Sequence, residues 1–320
     1  MPRSNVIKKD TFHYLWSKSH KPVLNIKPGD RVHFEVNEVN SGQISEKTTA
    51  EDLSKLDLSR LYPLAGPVYV EGAEPGDALI VKVESVKPAN WGWTAVIPGL
   101  GLLDQEFTNP DLFVWNLRGA SRRYARFVKN IQVPLNPFCG VLGVAPPEDG
   151  SFEVMPPGKH GGNMDIRHLT AGSTIMIPVW TKGALFSTAD VHAAQGDGEV
   201  CVTAIECPGD VTLSFDLKKD ADLETPCYYS GRMFGSNTGY FATTGISPDL
   251  MEATKQSVRG MISFLEENLG ITRTQAYMLC SVAGELRIHE IVDRPNWVVG
   301  MMMPRSLIKE ERKTSSRRRS

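Results

Sequence analysis

The chain has 320 residues, 41% of them apolar and 22% charged, and a formal net charge of −2. That balance excludes a global pull toward nucleic acid or an anionic membrane surface. The length allows one large domain or two ordinary ones, and no apolar run reaches the roughly eighteen residues of a membrane-spanning helix.

The N-terminus, "MPRSNVIKKDTFHYLW", lacks the apolar stretch of a secretory signal, so a cytoplasmic protein is expected. One local pattern then recurs. "IKPGDRVHFEV" (26–36), "AEPGDALIVKV" (73–83) and "ECPGDVTLSF" (206–215) each set Pro-Gly-Asp before an alternating apolar run, and "LTAGSTIMIPV" (169–179) is a looser copy. Proline pre-sets φ at the second turn position and glycine supplies the positive φ of the third, so each copy predicts a tight turn feeding a strand. Val32, Phe34 and Val36 would share one face of the first such strand. The copies are unequally spaced, which excludes a solenoid. Many short strands with Gly/Pro turns predict a mainly β protein, a sandwich or a barrel.

Helices are few. Ala50–Tyr62 reads as one or two short ones. In "SPDLMEATKQSVRGMISFLEENLG", Ser247 is placed to cap, Pro248 suits the first helical position and Gly270 ends the helix. "TRTQAYMLCSVAG" follows, with Thr272 and Gln275 at capping-box spacing and Gly284 as its stop. "ELRIHEIV" alternates as a strand. A small α/β part is therefore expected over about 247–304, within a β-rich unit spanning 1–304. The remainder, 305–320, is a basic tail: Lys309 to Ser320 holds six basic and two acidic residues and almost nothing apolar, which predicts disorder.

The candidate chemistry gathers in two stretches. "STADVHAAQGDGEV" (187–200) sets His192 among Asp190, Asp197 and Glu199, between two apolar segments. Asp190 and His192 are two apart and point the same way on an extended chain. The Gly196–Gly198 segment must turn. A β-hairpin carrying Asp190, His192 and Glu199 is expected, with Glu199 beginning the return strand. Imidazole with carboxylates is a ligand set for Zn²⁺ or a similar ion; solvated acids beside an incidental histidine are the plain alternative. The second stretch, "PPGKHGGNMDIRHL" (156–169), brings His160, Asn163, Asp165 and His168 beside paired glycines. Asn163 and Asp165 are placed to offer side-chain oxygens, whereas His168 reads as a turn residue.

Three motifs in order, "GPVYVEGAEPGD" (66–77), "GKHGGNMD" (158–165) and "GALFSTADVHAAQGDGEV" (183–200), resemble the acetamidase/formamidase family. "HYLWS", "SGQIS" (41–45) and "AYMLCSVAGELRIHEIVDRPN" fit in sequence, so the resemblance runs from about His13 to Pro304. It implies a jelly-roll-like β-sandwich with a β-barrel-like region and a small α/β part, assembled as a homo-oligomer, a dimer or larger. It also implies hydrolysis of formamide, acetamide or a similar small aliphatic amide.

An amide carbon is a poor electrophile and ammonia a poor leaving group until protonated. A divalent metal activates water and polarises the carbonyl, and a nearby carboxyl moves the proton. The expected ion is zinc, with calcium as the alternative. Asp165, Asp190 and His192 are assigned as ligands, Asn163 as a weaker oxygen donor and His160 as a ligand or orienting partner. Glu199 is assigned as general base and acid, and Glu71 as a further acid reaching the site from its turn. Trp91, Trp93 and Met301 to Met303 are candidates for the wall of a tight apolar pocket, with core packing the preferred reading of the methionines. Two other readings stand beside this one. Cys139, in "NPFCGVLG", could serve a cysteine-dependent amidase, although widely scattered cysteines with no CxxC read as buried, reduced thiols. A non-catalytic small-molecule-binding jelly roll is the other. No nucleic-acid or membrane partner is expected.

Overall fold

A computed structural model describes residues 5–119, 123–231 and 239–307. Most of the basic tail, 308–320, lies outside the described residues; Arg305–Leu307 forms a single 3₁₀ turn. Two nine-stranded sheets dominate the chain. The first runs from strand Val6–Ile7 at one edge, through Arg31–Val36, Gly209–Lys218 and Ala78–Pro88, to Trp297–Pro304 and Glu285–Glu290 at the other. The second is centred on Phe186–His192, which pairs with Phe138–Gly143, Leu64–Val70 and Glu206–Cys207.

The two sheets share one core. Val32, Phe34 and Val36 are buried together as the alternation predicts, and Phe34 and Phe215 of the first sheet meet Phe186 of the second edge to face, at 6.2 and 5.1 Å between ring centroids. The sandwich is therefore as expected. The barrel-like region is not, since neither sheet closes on itself among the described residues. No described helix is long and apolar enough to cross a membrane.

The Pro-Gly-Asp turns form twice as predicted. Gly29 and Gly76 take φ of 94° and 95°, and Gly172 in the looser copy takes 89°. The third copy is different. Gly209 lies inside strand Gly209–Lys218, where a Cβ would meet the Lys87 carbonyl oxygen at 2.8 Å. Glycine is needed there for close strand approach, not for a turn.

The helices fall where expected, α1 over Leu250–Leu269 and α2 over Arg273–Ala283. They cover one end of the first sheet, burying Met261, Leu265 and Cys280 against Phe241, Met301 and Met303. Gly270 ends α1 at φ 63°, and the Thr272–Gln275 capping box opens α2. The cap of α1 is Asp249 and not Ser247: its carboxylate accepts the Glu252 N–H at 2.7 Å. Asp249→Ala is expected to lower stability by about 1 kcal/mol and Ser247→Ala by clearly less; equal melting temperatures for the two variants would show that the cap contributes nothing.

Candidate active site

The site forms where strand Phe186–His192 meets its neighbours. Val141 pairs with Ala189 and Cys139 with Val191, so Gly140 falls opposite Asp190. Asp190 takes φ 62°, a kink that the non-positive φ of Ala189 does not share. The Asp190 carboxylate lies on the same side as His192, with its Oδ2 3.3 Å from His192 Nε2. Directly across the ladder from His192 is Glu206, whose Oε2 lies 3.0 Å from Nε2. The hairpin is thus wider than expected. Residues 193–205 form a long loop, Glu199 sits within it at φ 45°, and the return strand begins at Glu206. Glu199 still reaches the cluster, its Oε1 4.0 Å from His192 Nε2.

Asp165 arrives from the Gly161–Asn163 strand, at φ 46°, with its N–H on the Gly140 carbonyl at 3.3 Å. Its Oδ1 is 3.8 Å from His192 Nδ1. Asp293 closes the cluster from the far end of the chain, accepting a hydrogen bond from Asn163 Nδ2 at 2.8 Å. Three overlapping sets of ligand atoms result, each within 4.8 Å internally: Asp165–Asp190–His192, His192–Glu199–Glu206 and Asp165–Glu199–Asp293. All six residues are buried.

Gln195 fixes the imidazole. Its side-chain N–H donates to the Asp165 carbonyl at 2.8 Å, so its Oε1 faces His192 Nδ1 at 3.0 Å and accepts from it. With the proton on Nδ1, Nε2 is left as the electron-pair donor toward the carboxylates, the tautomer a metal-ligating histidine requires.

Five carboxylates facing one imidazole cannot all stay charged without a cation. No lysine or arginine forms an ion pair with any of them among the described residues. Burial pushes Asp165 up to about 6 and Glu206 up to about 8, with Asp190 adding to both. Burial and then Asp165 hold Glu199 and Asp293 well above the usual carboxylate range. Burial works against a charged His192, but Glu206 and Asp190 outweigh it and raise its pKa. Both Asp165 oxygens, Asp190 Oδ1, His192 Nε2 and Glu206 Oε2 are buried without an aligned hydrogen bond. A Cβ on Gly140 would collide with Asp165 Oδ1 and come within 2.7 Å of Asp190 Oδ2. Converging, unsatisfied donor atoms above a glycine floor fit a divalent cation.

The cavity over this floor holds about 50 Å³ and is walled by Val39, Leu61, Tyr62, Trp93, Ile97 and Met155. At about 30 Å³ per water molecule, it accepts a ligand of only a few heavy atoms. Trp93 is one of the two tryptophans expected at the wall. Trp91 instead borders a larger surface cleft, and Met301 to Met303 are core.

Two predicted site residues lie elsewhere. Glu71 is exposed in its turn, its N–H on the Ile26 carbonyl, and belongs to none of the three sets. His160 is buried edge-on against Trp16 at 5.2 Å, and burial lowers its pKa to about 4, leaving it a neutral packing residue. Asn163 is in place, with Oδ1 buried and accepting no hydrogen bond. His168 is more than a turn residue: it is buried 3.7 Å from Asp197, with His289 alongside. Cys139 lies inside its strand and burial pushes its thiol up to about 12, which removes the thiolate a cysteine mechanism needs. The sequence reading missed Glu206, Asp293 and Gln195. Gln195 and Glu206 carried a signal as polar residues in and after the histidine loop, and Asp293 lies in the family-like stretch 276–296.

The acetamidase/formamidase family model matches residues 2–152 and 148–310. The chain is 26% identical to the formamidase of Methylophilus methylotrophus, over 91% of this chain and 88% of that protein. It is also 26% identical to the acetamidase of Mycolicibacterium smegmatis, over 83% and 84%. A crystal structure of a predicted acetamidase/formamidase from Thermoanaerobacter tengcongensis superposes with a TM-score of 0.86 at 30% identity, covering 95% of this chain and 96% of that one. With that family model matching across both sheets and all the residues of the cluster, this chain belongs to the acetamidase/formamidase family.

Proposed function

We propose that the chain hydrolyses small aliphatic amides, of formamide or acetamide size, to the carboxylate and ammonia, using a divalent metal held by the buried cluster. Membership of the family supports the hydrolase reading, and the convergence of unsatisfied carboxylate and imidazole atoms under a 50 Å³ cavity is the observation that carries the rest. Asp165, Asp190, His192 and Glu206 would hold the ion, with the buried, unpartnered Asn163 Oδ1 a weaker candidate. A bound divalent ion supplies Lewis acidity toward a carbonyl and lowers the pKa of water to about 7. Zinc is favoured because the set includes an imidazole nitrogen with its tautomer fixed; calcium would use the carboxylates and leave His192 aside.

Glu199 is the proton carrier. It enters from a loop and not from the ladder, and burial gives its carboxyl a raised affinity for protons. It takes a proton from the attacking water and delivers it to the amide nitrogen, so that ammonia and not amide anion departs. The apolar wall of Trp93, Ile97 and Met155 and the small volume beside it suit a short acyl group.

Assembly of copies belongs to the same reading. α2 exposes Tyr277, Met278 and Val282 beside Leu286 on the edge strand, an apolar row that a second copy would cover. Five unpaired cysteines support a reducing, cytoplasmic setting.

Elemental analysis paired with ammonia release tests the proposal. One or more bound ions per chain is expected, with ammonia release from formamide or acetamide that stops on chelation. Full activity in metal-free protein would overturn it.

A further inference from the structure

Tyr62 stands apart from the roles assigned above. It carries φ 54°, which a side chain with a Cβ resists, and it directly precedes Pro63, which restricts the backbone further. Two contacts hold it there. Its N–H donates to the Val39 carbonyl at 2.8 Å, and its ring packs on the cluster of Trp16, Leu64, Val141, Val154 and Ala189. The ring therefore reaches the wall of the small cavity, alongside Asp165, Asp190, Glu199 and Glu206. Strain of this kind, fixed by packing on both sides, marks a position where the side chain is aimed.

Asn163 Nδ2 directs its two N–H groups to Asp293 Oδ2 at 2.8 Å and the Met155 carbonyl at 3.3 Å, and lies 3.5 Å from the phenol oxygen. No other hydrogen-bond partner contacts the phenol among the described residues. No acceptor among the described residues therefore holds the phenol O–H, which is left to donate into the cavity. Trp93 Nε1–H, buried without an aligned partner, is another donor in the same wall. Four of the cavity's lining groups are carboxyls, which accept when ionised around a bound cation, and the Thr203 hydroxyl is already donated to the Ala95 carbonyl at 3.0 Å. An amide brings an NH₂ that carboxylates can receive and a carbonyl oxygen that they cannot.

We propose that Tyr62 is a catalytic residue whose O–H donates to the carbonyl oxygen of the bound amide and holds the negative charge that develops there. As water adds to the carbon, the C=O π pair moves onto oxygen and the Tyr62 hydrogen bond strengthens. When ammonia leaves, the pair returns to reform the carbonyl. No bond to Tyr62 forms or breaks, and the phenol keeps its proton throughout; burial, with Asp293 next, raises its pKa further above the ordinary value. The proposal rests on amide hydrolysis and not on the identity of the metal.

The test is Tyr62→Phe, which keeps the ring and its packing. Ammonia release from acetamide and formamide is measured with metal content and melting temperature alongside. The expected result is kcat lowered by roughly 10²-fold or more, KM within about threefold of the parent, and metal content unchanged. The deficit should shrink with fluoroacetamide, whose more electrophilic carbon needs less help at oxygen. A kcat within about threefold of the parent would overturn the proposal. So would a loss that lies wholly in KM, or one that follows loss of metal. A parent protein that releases no ammonia from either amide would overturn the amide reading, and this inference with it.

Discussion

His192→Ala is expected to lose both metal and activity: less than about one thousandth of the parental ammonia release, with bound ion falling to background by elemental analysis. The ring is the common member of two of the three ligand sets. Its Nε2 lies within 4.0 Å of Asp190, Glu199 and Glu206, and its Nδ1 within 3.8 Å of Asp165. Removing it deletes the only nitrogen donor in the cluster and leaves Asp190, Glu199 and Glu206 facing one another in a buried space. Those carboxyls will then hold protons instead of a cation. His160→Ala is the control, because that ring packs on Trp16 and touches none of the three sets. It should retain activity within about tenfold. If His192→Ala keeps full metal and full activity while His160→Ala loses them, the cluster has been assigned to the wrong histidine.

How much of this was legible in the chain depended on the distance over which each feature is determined. The turn at Gly29 could be read locally, because proline, glycine and aspartate settle it within four residues. The same tripeptide at 208–210 misleads, because what decides Gly209 is the Lys87 carbonyl on a neighbouring strand. The caps of α2 were legible and that of α1 was displaced by two residues, since Ser247 and Asp249 are both competent caps and the strand ending at Ser247 claims the first.

The site follows the same rule. Asp165, Asp190, His192 and Glu199 sit in short motifs with a family resemblance, and all four enter the cluster. Glu206 is opposite His192 only because a thirteen-residue loop, 193–205, happens to close on that register. Asp293 is brought in by the pairing of the last strands, more than a hundred residues from Asp165. Neither separation is visible as a spacing. Glu71 is the converse case, an acid inside a resembling motif whose turn faces solvent. The motif there keeps a backbone shape, and the carboxylate is incidental to it.

Gly140→Ala is expected to abolish metal binding without adding or removing a single ionisable group, and it therefore separates geometry from charge. Gly140 is in strand Phe138–Gly143, which pairs with the central strand of the second sheet, and is flanked by Cys139 and Val141, with an unexceptional φ. Nothing in its own backbone calls for glycine. What calls for it is the space above the Cα, where Asp165 Oδ1, Asp190 Oδ2 and His192 Cε1 converge; a methyl would overlap the first, reach 2.7 Å from the second and 3.1 Å from the third. Each of these atoms belongs to a side chain locked by its surroundings. Asp165 is held by its N–H on the Gly140 carbonyl, Asp190 by the kink at φ 62°, and His192 by Gln195. None can move aside cheaply, so the methyl either spreads the donors or distorts the strand. Overpacking of this kind costs about 1–3 kcal/mol in stability, which thermal unfolding would register as a modest fall. The larger effect is on the ion: donors spread by even 0.5–1 Å lose the geometry a small divalent cation demands, and ammonia release should drop by roughly 10²-fold or more. A folded Gly140→Ala protein with a full complement of metal and parental kcat would show that the cation sits away from this glycine floor, nearer Glu199 and Asp293.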